Sequence, residues 1–140
     1  MPPITVETIV KAPLDKVWAS WTEPQHIVGW AFASDDWEAP SAENDLRTDG
    51  RFKTNMAAKD KSVGFDFTGT YTKVKEKELI EYVMDGEDRR HVKVTFEETS
   101  EGIKVTETFD PENENSEELQ RGGWQAILNN FKKYVEGLHL

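Results

Sequence analysis

Apolar and polar residues alternate from Ile4 to Val10, the pattern of a strand, and the chain then changes step. Pro13 presets the backbone of a first helical turn. Leu14, Val17, Trp18 and Trp21 follow at i, i+3, i+4 and i+7, one apolar stripe on a short helix over residues 14–21. A second short helix is predicted from Pro24 to about Trp30, with Thr22 as its cap. Residues 34–44 are polar, carry Pro40 and read as a loop, although they hold Trp37, a costly ring to leave in water. Strand-like alternation returns over residues 46–57, 64–74, 79–84, 90–98 and 103–110. The connections at 58–62, 75–78, 85–88 and 99–102 have hairpin length and turn residues, which predicts antiparallel pairing in sequence order. From Ser116 to about Gly137, Leu119, Trp124, Ile127, Leu128, Phe131, Val135 and Leu138 fall at helical spacing, a rod of roughly 33 Å.

That order describes an α+β chain with a curved six-stranded antiparallel sheet wrapped round a long C-terminal helix. A strongly bent sheet cannot touch a straight helix along its full length. An internal cavity is therefore expected between them, closed at one end by the short helices and the Trp37 loop. Three features of the long helix carry their own expectations. Asn115 with Glu118 three residues on is a capping-box pattern. Lys132, Lys133 and His139 near the end complement the helix dipole and read as structural. Gly122 and Gly123 should each cost about 1 kcal/mol against alanine; close approach of another element is the favoured reason for them, a bend the alternative.

Composition narrows the class without naming an activity. A chain of 140 residues suits a single domain over 1–140, and a hydrophobic fraction of 36% with a charged fraction of 31% suits a water-soluble one. No segment has the apolar length of a membrane span, and no signal region is evident, so a cytoplasmic location is expected. The absence of cysteine closes disulfide, thiolate-metal and thiol-nucleophile chemistry. A net charge of −10 argues against nucleic acid and anionic membrane surfaces. The single basic cluster, Arg89-Arg90-His91, sits beside Asp85, Glu87 and Asp88 and is expected to pair locally in a turn.

Candidate chemistry is sparse. His26, His91 and His139 are on different elements without metal-ligand spacing, and the glycines make no nucleotide-binding loop, so neither a metal nor a cofactor is expected. No serine occupies a strand-to-helix nucleophile turn. One polar residue breaks an apolar face: Ile103, Val105, Glu107 and Phe109 share a parity, and for Glu107 a solvated strand end or a register change is the favoured reading, an inward position the alternative. Inward, it would be a hydrogen-bond partner or proton acceptor. Phe52 and Met56 alternate on one strand face and Phe65, Phe67 and Tyr71 on the next, side chains that serve equally as plain core.

Ala12-Pro13, Val17-Trp18, Pro24 and Trp30, then Asp45, Arg47, Gly50 and Phe52, then Gly69, Tyr71 and Val74 form a recognisable series. Val92-Val94-Phe96-Glu97-Glu98 and Gly123-Trp124 complete it. With these residues the chain resembles the START-like helix-grip (SRPBCC) superfamily of the birch-pollen allergen type. Within it, the resemblance is to the branch related to the activator of the heat-shock protein 90 ATPase. That branch commonly has two adjacent glycines where this chain has Asp49-Gly50, which predicts a looser bend. The resemblance implies a helix-grip fold that binds an apolar or amphipathic small molecule in its cavity, where a few members also catalyse reactions. Parity and the resemblance together draw the cavity wall from Phe52, Met56, Phe65, Phe67 and Tyr71 with Trp30, Phe32, Trp37, Trp124, Leu128 and Phe131. Binding without demonstrable catalysis is the leading reading. A chaperone-related interaction is the alternative, and a cavity enzyme using Glu107 the third reading.

Overall fold

The computed structural model describes residues 2–86 and 89–138. Ile4–Val10 forms β1, and Leu14–Thr22 and Pro24–Ile27 form α1 and α2. Six strands follow: β2 Trp37–Asn44, β3 Arg51–Ala58, β4 Gly64–Lys75, β5 Leu79–Met84, β6 His91–Thr99 and β7 Gly102–Phe109. Glu117–Gly137 closes the chain as α3. The strands make one antiparallel sheet in the order β1-β7-β6-β5-β4-β3-β2, curled into a half-barrel against α3.

The sheet has seven strands rather than six, because residues 37–44 form an edge strand and not a loop. Pro40 concealed it. Proline cannot donate to a ladder, but β2 has a neighbour on one side only, and the pairing with β3 shifts register between Glu38 and Ser41, where Pro40 falls. The strand expected over 46–57 starts later, at Arg51, because residues 45–50 make a tight turn. Asp49 adopts φ 70° there, taking the left-handed conformation that glycine would supply. A side chain on Gly50 would lie 2.1 Å from the Asp45 carbonyl oxygen. The bend is therefore held tight despite the missing second glycine.

Local chemistry differs from expectation at the helix ends. Thr22 caps nothing; its hydroxyl donates back to the Trp18 carbonyl at 2.9 Å, and α2 begins after Glu23. The cap of α3 is Ser116, whose Oγ accepts from the Leu119 N–H at 3.1 Å, while the Asn115 N–H donates to Glu112. Gly122 and Gly123 have no neighbouring atom within 4 Å of an added Cβ, so close packing does not account for them. Leu119 and Leu138 are exposed, which narrows the buried stripe of α3 to Leu128, Phe131 and Val135, with Trp124 and Ile127 half-buried beside it. Lys132 ties the helix to the sheet, its ammonium donating to the Ile9 carbonyl at 2.6 Å. His139, Glu87 and Asp88 lie outside the described residues.

The core is built where the first helix meets the last. Val17, Trp18, Leu128, Phe131 and Val135 are buried, and the Phe131 ring meets Trp21 and Trp30 edge-on at 4.9 Å each. Trp30 is held by its indole N–H, which donates to the Ser20 carbonyl at 2.9 Å. The tryptophan-rich opening thus fills one end of the half-barrel and leaves the other less filled.

Candidate functional site

The concave face of the sheet, α2 and the N-terminal half of α3 bound a pocket of about 320 Å³. Strand parity builds its walls. Phe52, Thr54 and Met56 of β3, Phe65, Phe67 and Tyr71 of β4, and Ile80, Tyr82 and Met84 of β5 project to the same side. Gly69 completes the β4 row for a steric reason: a Cβ there would lie 2.7 Å from the Phe52 ring, so its absence lets that ring lie across β4. Phe52 meets Tyr82 edge-on at 4.9 Å, and Trp124 of α3 stacks on Phe109 at 4.0 Å with 11° between planes.

Few polar groups reach this surface. The Tyr71 hydroxyl donates to Asn44 Oδ1, and Asn44 Nδ2 donates to the Thr22 carbonyl at 2.6 Å, pinning the edge strand to the end of α1. Burial raises the Tyr71 hydroxyl well above its ordinary range, so it stays a donor. Glu107 is 5% exposed on β7, between Val6 of β1 and Val94 of β6. Of the two readings left open by its parity, the solvated strand end does not hold and the inward one does. Burial alone pushes its carboxyl up to about 8, and among the described residues nothing hydrogen-bonds it. The Tyr82 hydroxyl is raised well above its ordinary value, by burial first and by the Glu107 charge second.

Of the residues nominated for the wall, the pocket gathers Trp30, Phe52, Met56, Phe65, Phe67, Tyr71, Glu107 and Trp124. The other four are elsewhere. Leu128 and Phe131 are fully buried in the core behind it. Phe32 packs on that core and its carbonyl accepts from Asn130 Nδ2, while Trp37 lies outside the wall with its ring 6.1 Å from Phe65. Sequence reasoning missed Tyr82, which shares the parity of Ile80 and Met84 and was legible on that basis. It also missed Asn44, concealed in the supposed loop, and Arg90, which the pocket wall includes. In the turn ahead of β6, Asp85 pairs with Arg51 of β3 and also feels the Arg89 charge. Among the described residues no cluster of three or more acidic or histidine side chains could hold a metal, and no helix is long and apolar enough to cross a membrane.

This geometry recurs in solved structures. An AHSA1-like protein from Aeromonas hydrophila is 42% identical, with a TM-score of 0.91 over 98% of this chain and 94% of that one. A protein from Cytophaga hutchinsonii is 50% identical, with a TM-score of 0.81 over the same shares. One from Nitrosomonas europaea shares the fold at 17% identity, with a TM-score of 0.84 over 98% of this chain and 96% of that one. The comparison with curated proteins gives no match. The model of the family described as activator of Hsp90 ATPase homolog 1-like protein matches residues 11–136, nearly the whole chain, and the chain belongs to that family, within the helix-grip superfamily.

Proposed function

We propose that this protein binds one small apolar or amphipathic molecule in the pocket between the sheet and α3. The observation that carries the reading is the wall itself: a concave surface of about 320 Å³ lined mainly by aromatic and aliphatic side chains, with a few inward polar groups. That volume is at the low end of ligand pockets, which run from about 300 to 1,000 Å³, so the fit is to a compact ring system rather than a long acyl chain. No catalytic step is assigned. Burial keeps a proton on most Glu107 side chains near neutral pH, so the group stands there mainly as a donor.

Native mass spectrometry of protein purified from its host tests the reading. A discrete added mass that is lost on denaturation is expected, and adding that compound back should raise the melting temperature, because it binds only the folded state. Absence of any adduct, together with no thermal response to small aromatic compounds, would refute it. The family description supports a second reading, a chaperone-related interaction through the acidic outer surface, for which the net charge of −10 is the relevant feature. That reading requires salt-sensitive association with a chaperone and indifference to substitutions in the pocket.

A further inference from the structure

On the pocket wall the Glu107 carboxyl and the Tyr82 hydroxyl have no hydrogen-bond partner among the described residues, and neither do Thr54 and the exposed Glu43. Glu107 and Tyr82 are buried, at 5% and 8% exposure, and they approach closely enough for the charge of one to act on the other. Tyr82 belongs to β5 and Glu107 to β7, with β6 between them, so the curl of the sheet turns both toward the same interior space. Their polar atoms open onto the pocket, so a ligand that displaces water from it binds well only where it pairs them.

The protonation states decide what kind of ligand that is. Burial holds the proton on both groups at neutral pH, so each presents an O–H donor. The other titratable groups on the pocket are Tyr71 of β4, already donating to Asn44, Arg90 ahead of β6 and Glu43 of β2. The α3 residues Trp124 and Ile127, and the flanking Val6 and Val94, add no charge. An ion of either sign must be stripped of water to enter this mainly apolar wall, and the two inward groups, both protonated, offer it no opposite charge. A carbonyl oxygen has two lone pairs and no charge, and a protonated acid beside a tyrosine is a known way of holding one in an apolar site.

We propose that Glu107 and Tyr82 act together as a pair of neutral donors that selects an uncharged, carbonyl-bearing ligand. This rests on the small-molecule reading above and sharpens it to a ligand class. Three matched probes test it on the full chain: acetylnaphthalene, ethylnaphthalene and naphthoate, titrated by quenching of tryptophan fluorescence. The ketone should bind roughly tenfold more tightly than the hydrocarbon at about pH 6, the worth of a buried hydrogen bond. Its affinity should be about tenfold weaker at about pH 9, once Glu107 has lost its proton. The carbonyl stretch of the bound ketone should move to lower frequency. Tyr82→Phe should reduce that shift and the ketone preference while leaving ethylnaphthalene binding unchanged. Glu107→Gln, whose amide still donates, should keep the preference and abolish the pH dependence. Equal binding of ketone and hydrocarbon, tighter binding of naphthoate, or an infrared shift untouched by Tyr82→Phe would overturn the donor pair while leaving pocket binding intact. Failure of all three probes to bind would overturn the small-molecule reading and this inference with it.

Discussion

Replacing Glu107 by glutamine removes an ionisable group while keeping its shape and its place on β7. In the unfolded chain this carboxyl titrates at its ordinary value of 4.5, and burial in the fold raises that to about 8. Between the two values the folded state holds a proton that the unfolded state has released, so wild-type stability falls as pH rises, by about 1.4 kcal/mol per pH unit. The contribution is complete below 4.5 and fully lost above about 8. At about pH 7 the accumulated loss is about 3 kcal/mol, a large share of the typical total of 5–15 kcal/mol. Glutamine does not titrate. Glu107→Gln should therefore match wild type at about pH 4.5 and exceed it by about 3 kcal/mol at about pH 7. Urea midpoints of both proteins across that range, with unchanged slopes, measure the difference and cancel the titration of every other group. A difference that stays constant with pH, or a wild type at least as stable as the variant at about pH 8, would refute the buried, protonated carboxyl.

Phe131 is fully buried between Trp21 and Trp30, so Phe131→Ala should lower stability by about 3–5 kcal/mol, visible as a large fall in urea midpoint. Trp124 is only half-buried and holds its place by stacking on Phe109; Trp124→Ala should cost about 2 kcal/mol in the same assay and weaken binding of a naphthalene probe. Gly122→Ala and Gly123→Ala meet open space and improve helix propensity, so each should raise stability by up to about 1 kcal/mol, checked by thermal melting; destabilisation by either would show that the backbone there needs glycine. Arg51→Ala breaks an exposed pair with Asp85 and should change the urea midpoint by less than about 1 kcal/mol.

Local pattern determined most of the fold. The stripe of Val17 and Trp18, the alternation along β3 to β7 and the helical spacing of Leu128, Phe131 and Val135 are one-dimensional signals, because a residue's parity or phase on its element decides which way it points. For Glu107 parity left both an inward position and a solvated strand end open, and the unbroken register of β7 with β1 and β6 settled it. What pattern alone did not decide is what an element packs against. Pro40 looks like a strand breaker until β2 is seen to be an edge with a register shift. Gly122 and Gly123 look like a close approach until α3 is seen to face open space there.

The pocket shows the same division. Phe131, Leu128 and Phe67 are alike in sequence, yet only Phe67 lines the pocket, because the curl of the sheet and the filling of one end by Trp21 and Trp30 set where the gap falls. Glu107 and Tyr82 are 25 residues apart and on strands that do not pair. Parity and register place each on the inner face, but their approach across the pocket depends on sheet order and curvature. Those are properties of how strands associate, and no single segment encodes them.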